Sequence, residues 1–180
     1  IVAVMQLSLP PVIAILISII VCAVLGVVIE RLAYKPLRQA QPLTVLITAI
    51  GVSYLLQNVA LLIFGSEQKA FPTILKLPAI KLGQVTIDGI TLVTLGVTAI
   101  IMIALTLFIN KTKLGKAMRA VSEDKEAAGL MGISTNRTIT ITFAIGSALA
   151  AVASIFYGAT YVYIKPTTGA MPGIKAFTAA

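Results

Sequence analysis

Four long runs of this sequence contain no charged side chain, and each is long enough to cross a lipid bilayer as a helix. They are residues 11–29, 42–65, 89–110 and 138–164. The chain is 58% hydrophobic and only 11% charged, whereas about 25% of a typical soluble domain is charged. This composition excludes a water-soluble fold, and it also excludes disorder, which needs low hydrophobicity and high charge. The sequence therefore predicts an all-α fold, a polytopic transmembrane helix bundle.

The two ends of the chain indicate a piece of a longer membrane domain. Residues 1–9 are apolar and are separated from the first run by Pro10 and Pro11, so we expect them to end an earlier helix. Residues 176–180 are expected to start a later one. Residue 1 is Ile rather than Met. We therefore interpret residues 1–180 as part of one transmembrane domain that is truncated at both ends.

The net charge of +8 predicts orientation rather than nucleic-acid binding. The basic side chains lie in short loops beside the apolar runs, without the interleaved aromatic residues of a base-stacking surface. Loops 30–41 and 111–137 hold nine Lys and Arg residues, against five in loops 66–88 and 165–175. Because cytoplasmic loops are enriched in Lys and Arg, we expect the first pair inside the cell. The chain is therefore expected to cross the membrane several times, with these two loops on the inner side.

The residue types needed for catalysis or metal binding are scarce. The sequence contains no His, and Cys22 is its only cysteine, so neither a zinc site nor an internal disulfide is expected. The runs hold no ionisable side chain of the kind that marks a proton path. We predict no enzymatic activity and no cofactor. In loop 66–88, alternating apolar residues and an Asp88-Gly89 turn signal predict a short extended or hairpin element.

Small residues recur at every fourth position of the fourth run, which allows two helix backbones to approach closely in lipid. The series is Thr138, Thr142, Gly146, Ala150, Ser154 and Gly158. We predict helix packing at Gly146, Ala150, Ser154 and Gly158, with the lining of a path as the alternative. A shorter series in the first run consists of Ala14, Ser18, Cys22 and Gly26.

Polar residues in the second run are candidates for a translocation path. Thr48, Gly51 and Asn58 fall on one helical face, whereas Gln57 points elsewhere. Polar side chains in a membrane need hydrogen-bond partners. They either form interhelical hydrogen bonds or make a polar wall of a substrate path.

Loop 111–137 carries its own helical signal. Ser122 is a candidate N-cap, and Glu123 and Asp124 follow in the first turn, where the helix dipole favours acids. Ala127, Ala128, Leu130 and Met131 would form a mostly small, apolar surface, and Gly132 would end the helix. We predict a short cytoplasmic helix across the inner membrane surface. The alternative is an interfacial amphipathic connector without a partner.

The pattern Glu126-Ala127-Ala128-x-x-x-Gly132 resembles the coupling loop of bacterial ABC importer permeases, although no Ile-x-Leu-Pro follows it. More of the chain resembles the LivH-type permeases of branched-chain amino-acid ABC transporters. The matching stretches are Ile-Glu-Arg-Leu-Ala-Tyr-Lys-Pro-Leu-Arg at 29–38, Ile-Gly-Val-Ser at 50–53, Leu-Gln-Asn at 56–58, Phe-Gly at 64–65, Gly-Lys-Ala-Met-Arg-Ala at 115–120, and parts of 127–133, 142–150, 166–169 and 173–177.

The resemblance implies the permease subunit of an ATP-driven importer of leucine, isoleucine and valine, located in the inner membrane of a bacterial or archaeal cell. It implies a second permease subunit, two ATP-binding cassette subunits and an extracytoplasmic substrate-binding protein as partners. It further implies that Glu126, Ala127, Ala128, Leu130, Met131 and Gly132 couple the permease to an ATPase. ATP hydrolysis would occur on the partners, because the chain has no G-x-x-x-x-G-K-[ST] motif. The alternatives are a urea or short-amide permease of the same family, a passive channel and a structural membrane subunit.

Overall fold

A computed structural model of the chain describes residues 10–38, 40–71, 80–82, 85–87, 89–161 and 163–179. The expectation for residues 1–9 lies outside this part of the chain. Within it, four helices are long and apolar enough to cross a membrane. They are α1 (Pro11–Ile29), α2 (Pro42–Phe64), α3 (Gly89–Lys111) and α6 (Thr135–Tyr161). The predicted all-α transmembrane bundle is confirmed.

The helix boundaries follow local chemistry. α1 and α2 each begin at a proline, whose missing N–H is not needed in the first turn. α2 ends at Gly65, which adopts a left-handed φ of 78° and donates its N–H to the Leu61 carbonyl at 2.9 Å. Beyond α1 the chain remains helical, first as a π-helical turn at Glu30–Tyr34 and then as a 3₁₀ turn at Lys35–Leu37.

Two predicted boundaries near the end of the chain were wrong. The fourth helix covers Thr135–Tyr161 rather than 138–164, because Tyr163–Ile164 leaves it as strand β4 and pairs antiparallel with β1 (Lys69–Ala70). Helix α7 spans Ala170–Ala179 and so starts before residue 176. A turn precedes it, in which the Thr168 hydroxyl accepts a hydrogen bond from the Lys165 N–H at 2.8 Å.

The predicted hairpin in loop 66–88 is confirmed. Strand β2 (Ile80–Leu82) pairs antiparallel with β3 (Val85–Ile87), with Ile80 opposite Ile87 and Leu82 opposite Val85. Strands β1 and β4 follow α2 and α6, and the β2–β3 hairpin precedes α3. These ends of the three helices lie on the same side of the bundle. We refer to this side of the bundle as the hairpin end. Two short helices, α4 (Lys113–Glu123) and α5 (Lys125–Leu130), follow the opposite end of α3, which we call the α4–α5 end.

The main helix contact of the described chain joins α1 to α6. Gly26 of α1 lies against Ser147 and the Phe143 carbonyl of α6. Ala14 and Ala151 are buried along the same pair of helices. Further along, the Tyr34 ring packs on Phe143 with a centroid separation of 5.0 Å. The contacts run in opposite directions along the chain, so α1 and α6 are antiparallel.

The small-residue series predicted on α6 does not form this contact. Gly146, Ala150 and Ser154 are exposed, and no described side chain or distant backbone atom would lie within 4 Å of a Cβ at Gly146. The contact instead uses the adjacent positions Ser147 and Ala151, about 100° further around the helix. Of the predicted packing residues only Gly158 is buried, and its nearest neighbours are the side chains of Phe71 and Ile164.

Candidate functional site

A tight turn at Thr112 joins the end of α3 directly to the start of α4. The Thr112 hydroxyl caps α4 by accepting a hydrogen bond from the Gly115 N–H at 2.9 Å, and it donates to the Phe108 carbonyl at 2.7 Å. Gly115 is buried against the backbone of Ile109. A Cβ atom at position 115 would lie 2.3 Å from the Ile109 oxygen, so the turn requires glycine here.

Helix α4 is amphipathic. Gly115 and Val121 are buried, whereas Lys113, Lys116 and Arg119 are exposed. The Arg119 guanidinium donates to the Asn110 side chain at 3.1 Å, which adds a second link between α4 and the end of α3. These contacts fix the position from which α5 starts.

Helix α5 is capped by Asp124, and the prediction that Ser122 is the cap was wrong. One oxygen of the Asp124 carboxylate accepts hydrogen bonds from the N–H groups of Glu126 and Ala127, at 2.8 and 3.1 Å. Ser122 lies inside α4, where its hydroxyl donates to the Arg119 carbonyl at 2.7 Å. Val121 is buried, so α4 continues past Ser122. Asp124 is then the residue with the extended backbone conformation of an N-cap.

Gly132 ends α5, as its sequence position indicated. It adopts a left-handed φ of 81° and donates its N–H to the Gly129 carbonyl at 3.0 Å. The Ile133 N–H donates to the Ala128 carbonyl, also at 3.0 Å. These two bonds form a Schellman motif, which strongly favours glycine at the left-handed position. The motif turns the chain from α5 into α6 within four residues.

The surface of α5 is apolar and open. Leu130 is 90% exposed and Met131 is 82% exposed, and Glu126, Ala127 and Gly132 are exposed beside them. We call Glu126, Ala127, Leu130, Met131 and Gly132 the α5 face. The prediction that Ala128 shares this surface was wrong. Ala128 is only 4% exposed, and its carbonyl accepts the Ile133 N–H bond of the Schellman motif.

A buried charge network, which the sequence analysis missed, lies at the same end of the bundle. Glu30 is fully buried at the end of α1, and its carboxylate accepts hydrogen bonds from the Arg38 guanidinium and from the Thr140 hydroxyl, the latter at 2.9 Å. Arg38 also donates to the Asn136 side chain. The only sequence signal was a lone acid followed by three basic residues, which does not by itself indicate burial.

The predicted path residues of α2 do not meet another helix in the described chain. Gly51 and Asn58 are exposed and Thr48 is half-buried. The Thr48 hydroxyl donates to the Thr44 carbonyl and the Asn58 amide donates to the Tyr54 carbonyl, both at 2.8 Å. Each of these two side chains therefore makes one hydrogen bond to the backbone of α2 itself.

A cavity of about 220 Å³ lies on another face of α2, facing the turn before α7. Its lining residues are Ser53, Leu56, Gln57, Pro166, Gly169 and Ala170. The Gln57 amide donates to the Ser53 hydroxyl at 3.2 Å, so two polar side chains of α2 line this cavity together. A second cavity, of about 260 Å³, lies between Thr94 and Thr98 of α3 and the aromatic residues of α6, where Tyr157 stacks on Tyr161.

Metal chemistry has no support in the described residues, which contain no group of three or more His, Cys, Asp or Glu side chains placed to hold a metal ion. The four apolar helices, their exposed hydrophobic surfaces and the short polar turns between them define a multi-pass membrane protein.

Comparison with known proteins identifies the family of this membrane protein. The family model described as "Branched-chain amino acid transport system / permease component" matches residues 1–180, and the chain belongs to this family. It is 45% identical over 168 residues to the high-affinity branched-chain amino acid transport system permease protein BraD of Pseudomonas aeruginosa. It is 42% identical over 167 residues to LivH of Salmonella typhimurium and 41% identical over 173 residues to LivH of Escherichia coli.

Each of these alignments covers 91% of this chain and 54% of the relative, so the chain spans about half the length of the curated relatives it matches. No solved structure matches the chain. The family predicted from the sequence is confirmed.

Proposed function

We propose that this chain forms part of the permease subunit of an ATP-driven importer of branched-chain amino acids. The observation that carries the proposal is the α5 face, whose apolar Leu130 and Met131 side chains are exposed at one end of a membrane bundle and are held there by two helix caps and a Schellman motif. Exposed apolar patches of this kind mark interaction sites. The family membership and the names of the relatives supply the transport reaction and the substrate class.

In this proposal the α4–α5 end lies in the cytoplasm, where an ATP-binding cassette subunit receives the α5 face. The basic side chains of α4 and of loop 30–41 support this orientation. The partners are a second permease subunit, two ATP-binding cassette subunits and an extracytoplasmic binding protein. Chemical work is done by the ATPases, and this chain contributes helices that shift between two packed arrangements.

The translocation path in this proposal runs along α2. Thr48, Gly51 and Asn58 remain candidates on one face, and the cavity adds Ser53 and Gln57 on another. If the path follows the cavity, Gln57→Leu should raise the KM for leucine more than it lowers kcat, whereas Asn58→Leu should do so if it follows the other face. Each variant therefore serves as the control for the other.

The experiment that tests the proposed function is uptake of labelled substrate into proteoliposomes that contain the assembled importer and its binding protein. ATP-dependent accumulation of leucine, isoleucine or valine is expected, with no accumulation when ATP is omitted. Accumulation of urea or a short amide in place of leucine would identify the chain as part of a urea or short-amide permease of the same family. Flux that is independent of ATP would identify a passive channel and refute the importer.

A further inference from the structure

The charge network centred on the buried Glu30, at the inner ends of α1 and α6, joins three separate parts of the chain and reaches the exposed Asn136. Glu30 lies at the start of the π-helical turn, Arg38 lies eight residues later, and Asn136 and Thr140 lie in the first two turns of α6. Glu30 is 0% exposed and the Arg38 side chain is 16% exposed. Both carboxylate oxygens are used, one by Arg38 and the other by Thr140.

The network is better suited to fixing geometry than to adding stability. Desolvation offsets most of the attraction within a buried ion pair, and apolar residues of similar size are often as stable or more so. Arg38 Nε is also buried without a hydrogen-bond partner among the described residues. An arginine fork, however, holds two acceptors at a fixed separation. Here the acceptors are Glu30, on the α1 side, and Asn136, on α6.

Asn136 connects this network to the segment that follows α5. Asn136 is four residues beyond Gly132, which ends α5, and it belongs to the first turn of α6. α3 and α6 flank the α4–α5 segment in sequence, whereas α1 does not. The Arg38 fork is therefore, beside the Thr140–Glu30 hydrogen bond, a polar link by which α1 is held to the helix that leaves the α5 face. The Tyr34–Phe143 ring contact supports the same junction.

We infer that Arg38 is a positioning residue for energy coupling: it holds the inner end of α1 to the start of α6, so that both helices move together when the ATPase displaces α5. The inference rests on the proposed function. It extends the set of moving helices to one that is distant from the docking segment in sequence.

Arg38→Lys tests the inference, because lysine keeps the positive charge for Glu30 but lacks the planar fork that also reaches Asn136. Lys35→Gln is the matched control, since it removes an exposed charge from the neighbouring 3₁₀ turn. In the reconstituted importer, Arg38→Lys is expected to preserve assembly and ATP hydrolysis per complex. The leucine transported per ATP hydrolysed should fall several-fold, whereas Lys35→Gln should keep the wild-type ratio.

The double variant Glu30→Gln/Arg38→Gln guards against a folding defect, because it leaves no unpaired buried charge. It should show the same loss of leucine per ATP. Spin labels at the exposed positions Leu32 and Arg137 report on the junction directly. Their separation should stay constant between the nucleotide-free and ATP-bound wild type, and it should change between these states in Arg38→Lys.

Wild-type ratios of leucine to ATP in both network variants would overturn the inference. A proportional fall in assembled complex, ATP hydrolysis and uptake would overturn it too, because it would assign the network a purely structural role. Failure of the proposed function is distinguishable from either result, because the wild-type importer itself would then show no ATP-dependent uptake.

Discussion

Gly26 of α1 lies so close to Ser147 of α6 that a Cβ atom at position 26 would stand 2.6 Å from the Ser147 Cβ and 1.9 Å from its hydroxyl oxygen. The two helices therefore approach each other at the distance that only glycine permits on one side. Lipid tails are as apolar as the side chains, so there is no hydrophobic driving force between helices in a membrane. Close packing of this kind is therefore a main source of helix association.

Replacing Gly26 by alanine should destabilise the helix pair. Within a helix, alanine is favoured over glycine by about 0.5–1 kcal/mol, but overpacking of a filled contact typically costs about 1–3 kcal/mol. The expected result is a lower unfolding midpoint for the detergent-solubilised protein. Gly146→Ala is the control, because a Cβ there meets no described atom within 4 Å. Equal midpoints for the two variants would contradict the α1–α6 contact.

Gly115→Ala should break the α3–α4 turn. The added Cβ would lie 2.3–2.6 Å from three backbone atoms of Ile109, and backbone cannot move aside as a flexible side chain can. We expect a loss of at least about 1–3 kcal/mol by analogy with overpacked cores, together with new protease sensitivity at residues 111–116. Gly129→Ala is the comparison, since its Cβ would approach only the Thr135 hydroxyl, at 4.0 Å. A protease-resistant Gly115→Ala protein would refute the turn geometry.

Asp124→Ala should weaken the α5 helix. Loss of an N-cap side chain typically costs about 1 kcal/mol, and here two N–H groups lose their acceptor. Hydrogen exchange at the Glu126 and Ala127 amides should accelerate. Ser122→Ala should leave both amides protected, because the Ser122 hydroxyl bonds only within α4. The opposite pattern would restore Ser122 as the cap.

The four membrane helices were predictable because the signal is the length of a run without charge, which no tertiary contact can change. Local cues also located the end of α5, since a left-handed residue in a Schellman motif is nearly always glycine. The cap of α5 was not predictable. Ser122 and Asp124 are both good capping residues, and the burial of Val121, a tertiary contact, decides between them.

Contacts between distant parts of the chain determine two further features that local sequence patterns could not predict. Small residues occupy both the 146–150 and the 147–151 positions of α6, and only the location of α1 selects the second pair. Glu30 falls at the edge of loop 30–41 in the sequence, but it is fully buried and accepts a hydrogen bond from Thr140, which is 110 positions away in the chain. The candidate site was thus predicted in its sequence range, while its buried supports were not.

Single cysteines in a Cys22→Ala background test the orientation of the bundle. Ser134 is exposed at the α4–α5 end, and Ser66 and Thr167 are exposed at the hairpin end. A membrane-impermeant thiol reagent should label Cys at position 134 only in inside-out vesicles, and Cys at positions 66 and 167 only in right-side-out vesicles. Reversed labelling would place α5 outside the cell, and the proposed ATPase docking would then be wrong.

The α5 face provides the most direct test of the proposed coupling. Leu130→Asp combined with Met131→Asp puts two carboxylates on the most exposed apolar positions of the face. A charge that must enter a protein groove without a partner is strongly unfavourable, and every 1.4 kcal/mol reduces affinity about tenfold. The variant should reach the membrane in normal amounts, because neither residue lies in a membrane helix. It should lose co-purifying ATPase subunits and ATP-dependent leucine uptake.

Three further variants separate docking from folding in this test. Ser122→Asp adds a carboxylate to an exposed position of α4, outside the α5 face, and should keep both ATPase binding and uptake. Ala127→Arg should behave like the double variant, because Ala127 is exposed on the face, whereas Ala128→Arg should instead reduce the amount of folded protein, since Ala128 is buried within the chain. If the double variant and Ala127→Arg both retain ATPase subunits and full uptake, the α5 face is not the docking surface. The apolar side chains of Leu130 and Met131 would then contact the membrane interface, as in the amphipathic connector that the sequence left open.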